Sequence, residues 1–357
     1  MGMILAISAS ELETMRRAQQ LKPRPPARDG GALPRHDGVA YYRRALEDFG
    51  AMLRGLDYRS AQCLNEALAT FFLMVVYEQQ FGRHTSGMEA HLRGLYAFLA
   101  TLFATKGDSS WAARVPLLGQ QLLLFTMYIN LNLSVPDSLP RLWREAGHKT
   151  SCVAVMDQLF HNTRDALRNM WTPGYPTEEL VDDISVSRPL QFYHECCVLK
   201  TKLLLAQHDQ SAGAGDEAAW QRELDQIGRR FQDLLAVGRR PDVDMREHEL
   251  QAIQFAVAEY RSLAVYTHRL FCSSRRSHSC RDTCCRRELL AETLTTLRRV
   301  IRDDREMAVR VQWPLLVLRR YMESEAHQLL RGENIDQVLG SRGLFHHLGP
   351  LWDSRVA

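Results

Sequence analysis

The chain has 357 residues, of which 45% are hydrophobic and 24% are charged. These values are ordinary for a globular protein and exclude a wholly disordered or collagen-like chain. The 45 Lys and Arg residues nearly balance the 42 Asp and Glu residues, which leaves a formal net charge of +3. So small a charge predicts no strong attraction of the whole molecule to nucleic-acid phosphates or anionic lipid. A direct DNA-binding role is therefore disfavoured.

The start of the chain shows no secretory pattern. Its apolar residues, Met1 to Ile7, are few, and Glu11 and Glu13 follow at once, which argues against both a signal peptide and a transit peptide. The most apolar internal runs, at residues 67–77 and 117–133, are too short or too interrupted for a membrane helix of roughly 20 apolar residues. We expect an intracellular protein that does not enter the membrane.

Prolines and glycines crowd the next part of the chain, where Pro23, Pro25, Pro26 and Pro34 surround the pair Gly30-Gly31. Proline removes a backbone donor and fixes its own φ, so such a segment cannot hold a regular helix or strand. We predict a flexible N-terminal arm over residues 1–38 and a single large domain over residues 39–357.

Helical periodicity dominates from Val39 onward. Apolar residues between Leu64 and Val76 recur at i, i+4, i+7, i+8, i+11 and i+12 and predict a buried helix. Gly82 separates it from a second helix over residues 86–104, and the two should form a hairpin. Further helices are predicted around residues 110–133, 151–171, 187–208, 216–237, 243–271, 286–306 and 311–331. Since no Asn-Gly or Asp-Gly turn lies between alternating apolar runs, we predict an all-α fold of packed antiparallel helices.

A metal site is conceivable near the C-terminal third, where His268 and His278 accompany Cys272, Cys280, Cys284 and Cys285. Zinc sites often present their thiolates as C-x-x-C pairs, and no C-x-x-C occurs here. We favour an exposed, Ser- and Arg-rich connection between two helices, and predict neither a metal nor a cofactor. Because no nucleophile elbow, P-loop or dinucleotide-binding glycine motif is present either, catalysis has no support from motifs.

Glu78 ends the predicted central helix, and the run His91-Leu92-Arg93-Gly94 lies in the helix that follows. A hairpin brings Glu78 beside His91 or Arg93, and a carboxylate at the edge of an apolar helix needs a partner. One interpretation is an acid–base pair or a ligand anchor. The interpretation we favour is a hydrogen-bonded clasp between the two helices, with Gly94 allowing close approach.

Trp313-Pro314 marks another helix start. Proline is tolerated there because its missing N–H would have no partner in the helix, and Trp313 can pack back on the bundle. We expect this tryptophan to be buried in the core.

Three segments together resemble the fungal-specific transcription factor domain, the helical effector region of many zinc-cluster regulators. They are Phe71-Phe72-Leu73-Met74-Val75-Val76-Tyr77-Glu78, His91-Leu92-Arg93-Gly94-Leu95 and Gln312-Trp313-Pro314-Leu315-Leu316. The resemblance runs from about Tyr41 to the C-terminus. The family's six-cysteine DNA-binding module is not found, since no cysteine precedes Cys63. Val317-Leu318-Arg319-Arg320 also departs from the family's usual small and apolar residues.

The resemblance implies a nuclear transcription-regulatory effector of a metabolic or biosynthetic pathway, such as one of secondary metabolism, acting through protein partners or a small-molecule ligand. A cytoplasmic location is the alternative. A second hypothesis is a stand-alone small-molecule-binding protein or enzyme whose pocket is lined by Glu78, His91, Tyr128 and His194. A third is a non-catalytic scaffold that forms a homodimer through its C-terminal charged helices.

Overall fold

The computed structural model describes residues 2–20, 37–82, 85–104, 115–133, 138–148, 150–165, 176–208, 217–240, 244–274, 283–303 and 310–318. Within these ranges all regular secondary structure is helical and no strand is found. The predicted all-α fold is thereby confirmed. The chain divides into two compact units between Thr126 and Met127, whereas the sequence predicts a single large domain over residues 39–357.

The first unit contains α1 (Gly2–Gln20), α2 (Gly38–Arg54), α3 (Ala61–Phe81), α4 (Thr85–Ala104) and the start of α5 (Leu117–Leu131). The predicted hairpin is α3 and α4, which pack against each other. Side chains cap two of these helices, since Asp37 accepts from Ala40 N at 3.1 Å and Ser60 accepts from Cys63 N at 3.3 Å. Each cap satisfies a backbone donor that the helix itself leaves unpaired.

Helix α1 occupies part of the segment that is predicted from the sequence to be a flexible arm. Met3, Ala6 and Ala9 are buried, and α1 packs on α2 and α3. The contact with α2 is close at Gly38, where an added Cβ would lie 2.1 Å from Ser10 Oγ. The proline-rich residues 21–36 lie outside the described part of the chain. The sequence signal that could have predicted α1 is the helical spacing of small residues such as Ala6 and Ala9.

The second unit contains the end of α5 and eight further helices. They are α6 (Ser138–Glu145), α7 (Cys152–Asp165), α8 (Thr177–Ser185), α9 (Ser187–His208), α10 (Glu217–Arg230), α11 (Gln232–Arg239), α12 (Glu247–Ser274) and α13 (Thr283–Asp303). A short helical segment follows at residues 312–318. Helix α9 packs against α7, α10 and α12, and α12 packs against α13.

Three local differences from the predicted helices have simple causes. Helix α6 includes Pro140, which stands in the first turn, where a missing N–H removes no helical hydrogen bond. Helix α8 follows Pro176 and carries Glu178 and Glu179 in its first turn, where the helix dipole favours negative charge. The predicted helix at 216–237 is interrupted at Phe231, whose buried ring stacks on Phe192 at 4.7 Å.

Candidate functional site

The Tyr42 hydroxyl joins Glu78 to His91 in the first unit. It donates a 2.8 Å hydrogen bond to Glu78 Oε1, and its oxygen lies 2.5 Å from His91 Nε2. Because the single hydroxyl proton is used on Glu78, His91 must donate from Nε2 to the tyrosine oxygen. Glu78 and His91 are themselves 3.9 Å apart, and the Tyr42 ring stacks on Tyr77 at 4.1 Å. Three side chains thus tie α2, α3 and α4 together.

Burial shifts the pKa values of Glu78, His91 and Tyr42. Desolvation raises the pKa of Glu78, and the hydrogen bond from Tyr42 opposes the rise. Desolvation lowers the pKa of His91 below its usual 6.5, so the imidazole is neutral at pH 7. The pKa of Tyr42 is raised by burial and by its bond to Glu78. A neutral imidazole and a bonded phenol hold the carboxylate in place, which is the arrangement of a clasp.

The structure does not bring Arg93 and Gly94 into this clasp. Arg93 Nη2 pairs with Glu89 Oε1 at 3.1 Å on the exposed side of α4. A Cβ on Gly94 would meet Phe71 Cε1 at 3.6 Å, an ordinary contact, whereas a Cβ on Gly87 would lie 2.6 Å from Glu78 Oε2. Gly87 therefore leaves room for the carboxylate beside α4, and Gly82 does so at the end of α3, where a Cβ would lie 2.5 Å from Oε2.

Trp313 lies in the second unit, where its side chain is 1% exposed. Its burial is as predicted, and Pro314 beside it is also buried. The Trp313 ring faces Lys200 Nζ, which lies 3.6 Å from the ring centre. Lys200 also donates to Glu259 Oε1 at 2.8 Å and to Asn132 Oδ1 at 3.1 Å. This buried ion pair was not predicted from the sequence, because the two charges are 59 residues apart.

His194 is the centre of a second hydrogen-bond network. Asp157 Oδ1 lies 3.3 Å from His194 Nε2, and the Tyr128 hydroxyl lies 2.8 Å from His194 Nδ1. A carboxylate only accepts, so His194 donates from Nε2 and its Nδ1 accepts the tyrosine proton. Desolvation lowers the pKa of His194 to about 4, against the opposing effect of Asp157. The imidazole is therefore neutral at pH 7, and burial raises the pKa of Tyr128.

The four pocket residues predicted from the sequence fall into two groups. Glu78 and His91 belong to the first unit, and Tyr128 and His194 belong to the second. Glu78 and His91 are joined through Tyr42, which was not predicted from the sequence. Tyr128 and His194 are hydrogen-bonded directly to each other, and Asp157, also not predicted, bonds the other nitrogen of His194.

An open groove of about 300 Å³ lies above His194 in the second unit. Helices α7, α9 and α10 form its walls, and His194 stacks flat on Phe160 at 4.1 Å beneath it. Its lining combines apolar and charged side chains, including Asp157, Phe160, His194, Glu195, Glu223 and Arg230. A concave site with a few placed polar groups is the usual form of a small-molecule site.

No group of three or more His, Cys, Asp or Glu side chains in the described ranges is arranged to hold a metal ion. The side chains of Cys272, Cys280, Cys284 and Cys285 lie outside the described part, so the predicted exposed connection stays a prediction. The thiols of Cys152, Cys196 and Cys197 are buried. Burial raises the pKa of each of them, that of Cys152 to about 11, so these thiols are poor nucleophiles at pH 7.

Among the described helices, none has the length and apolar character that crossing a membrane requires. No family model matches the sequence, and searches of curated proteins and of solved structures found no significant match. The resemblance to the fungal-specific transcription factor domain therefore stays a prediction. Its three segments lie in α3, in α4 and in the helical segment at residues 312–318.

Proposed function

We propose that this chain is a regulatory effector protein of a metabolic or biosynthetic pathway, which works in the nucleus through protein partners or a small-molecule ligand. One observation carries the proposal: the groove above His194 is open to a ligand, while the Nε2 atoms of His91 and His194 are already held in hydrogen bonds. Such an arrangement favours binding over catalysis.

The hydrogen bonds of His91 and of His194 both support binding over catalysis. The Tyr42 hydroxyl bonds both Glu78 Oε1 and His91 Nε2. Tyr128 and Asp157 occupy both nitrogens of His194. A general acid or base acts through a polar atom within hydrogen-bond reach of the substrate proton, and the Nε2 of each imidazole already holds a partner inside the protein. The function itself comes from the family resemblance, whose segments supply core residues such as Trp313.

The experiment is a tethering assay. The full chain is fused to an unrelated DNA-binding domain, and transcription of a reporter with the matching operator is measured. We expect the reporter to change severalfold in either direction, and a fluorescent fusion of the chain to accumulate in the nucleus. Asp225→Asn, an exposed change outside the groove, serves as the control for expression. Nuclear exclusion with an unchanged reporter contradicts the proposal.

A second candidate is a stand-alone small-molecule-binding protein or enzyme. The observation that favours it is the carboxylate–imidazole–phenol chain of Asp157, His194 and Tyr128 directly under the groove. Metabolite and transcript profiles of a deletion strain separate the two candidates. One accumulated intermediate with unchanged transcripts supports the enzyme, and broad transcript loss supports the regulator.

A further inference from the structure

We infer that the groove between α7, α9 and α10 binds a small organic cation, an amphipathic amine whose ammonium group pairs with Asp157. The inference rests on the proposed function for its biological role, because it names the site and the chemical class of the ligand that such an effector senses. Its physical basis lies in the charges and the apolar floor of the groove.

Three carboxylates line the groove, and permanent cations neutralise two of them. Arg230 Nη1 lies 2.7 Å from Glu195 Oε1, and Lys202 Nζ lies 2.5 Å from Glu223 Oε1. Asp157 instead faces two imidazoles, with its Oδ1 3.3 Å from His194 Nε2 and 3.6 Å from His161 Nε2. His194 is neutral at pH 7 because burial lowers its pKa to about 4.

Asp157 is therefore the lining carboxylate that has no Lys or Arg partner within the described residues. Its side chain is 56% exposed, so a ligand can approach it from solvent. An ammonium group at this position gains a charge-assisted hydrogen bond. A carboxylate ligand at this position would instead face the Asp157 carboxylate, and like charges repel.

The apolar lining residues of the groove indicate the chemistry of the part of the ligand that does not carry the ammonium group. The apolar lining residues are Phe160, Val198 and Ile227, and Phe160 and Ile227 are 7% and 6% exposed. A hydrocarbon chain or one aromatic ring gains from covering the apolar surface that remains there. The groove of about 300 Å³ is at the small end of the range for ligand sites. A metal ion alone does not fit, because no three ligating groups converge in the described residues.

The test uses the full chain and calorimetric titration at neutral pH. Phenethylamine and hexylamine are the probes, phenethyl alcohol is the neutral match, and phenylacetate is the anionic match. We expect the amines to bind about tenfold or more tighter than the alcohol, as a charge-assisted bond implies, and phenylacetate to bind weakest. Equal affinity of amine and alcohol, tighter binding of phenylacetate, or no amine binding overturns the inference.

Two variants locate the site. Asp157→Asn should weaken amine binding about tenfold while leaving the alcohol unchanged. Gln226→Lys adds a cation to an exposed lining position and should also weaken amine binding, with Asp157 itself unaltered. Asp225→Asn removes a carboxylate from the same helix outside the groove and should leave binding unchanged. If both groove variants bind the amine normally, the assigned site is wrong.

The two proposals fail separately. If amines bind at the groove but the tethered chain does not change transcription, the site is supported and the regulatory function is contradicted. If the reporter responds but the chain binds no amine, the regulatory function is supported and the site is contradicted.

Discussion

The Lys200 ammonium lies 3.6 Å from the centre of the Trp313 ring, and both side chains are almost fully buried. A cation over an aromatic face gains most where water is excluded. The contact fastens the helical segment at residues 312–318 to α9, and Glu259 supplies the countercharge at 2.8 Å. The only tryptophan in the segments that carry the family resemblance is thus packed on a buried charge.

Trp313→Ala should therefore lower the free energy of unfolding by on the order of 3–5 kcal/mol, because it leaves a large cavity and uncovers Lys200. We expect the loss of soluble expression and a lower melting temperature. Trp313→Phe keeps an aromatic face for the ammonium and should lose clearly less. An unchanged melting temperature of the alanine variant would refute the prediction.

Lys200→Met should cost about 3–5 kcal/mol, because it leaves the Glu259 carboxylate buried without its cation. Glu259 Oε2 has no hydrogen-bond partner in the described residues, so the Lys200 bond is the main compensation for this charge. The double change Lys200→Met with Glu259→Leu should recover most of the loss. Urea unfolding of the four proteins forms a double-mutant cycle, and losses that simply add would contradict the pairing.

Tyr42→Phe should destabilise the first unit by about 1–3 kcal/mol, since Glu78 loses its donor and His91 loses its acceptor in a partly buried site. The neighbouring Tyr41 is 38% exposed and provides the matched control. Tyr41→Phe removes the same hydroxyl from the same helix and should change stability by less than about 0.5 kcal/mol. Equal thermal stability of the two variants would count against the clasp.

Acid should destabilise the protein through His194. An unfolded histidine has a pKa near 6.5, while the folded pKa is about 4, so the unfolded state binds more protons between these values. Stability is therefore lost as the pH falls from about 6.5 to about 4, by roughly 3 kcal/mol in full. Urea midpoints of the wild type and of His194→Gln should show a shallower pH slope in the variant. Parallel slopes would show that His194 is not the group responsible.

Two glycines in α2 should respond in opposite directions to alanine. A Cβ at Gly38 would lie 2.1 Å from Ser10 Oγ and 3.1 Å from Ser10 N, so Gly38→Ala should push α1 away and cost about 1–3 kcal/mol. A Cβ at Gly50 would meet only Arg54 Nη1, at 3.9 Å, so Gly50→Ala should stabilise the helix by about 0.5–1 kcal/mol. Thermal melts measure both, and a stabilising Gly38→Ala would exclude the close packing of α1.

The helical periodicity of the sequence was sufficient to predict the fold class and several helices. The predicted helix at 187–208 coincides with α9, and the predicted hairpin coincides with α3 and α4. These predictions succeed because the apolar period of a helix is a local property. Helices α6 and α8 were not among the predicted helices, although the proline at the start of each is compatible with a helix start.

The side-chain partners in the candidate site, in contrast, could not be predicted from the sequence alone. The sequence placed Glu78 near His91 because the two helices are adjacent in the chain, yet it gave no reason to choose Tyr42 as the residue between them. Asp157 reaches His194 across 37 residues, and Lys200 reaches Glu259 across 59. Which buried polar groups meet depends on how helices cross, and the cost of leaving a charge unpaired then fixes the pairs. Local pattern determined the helices, and tertiary packing decided the partners.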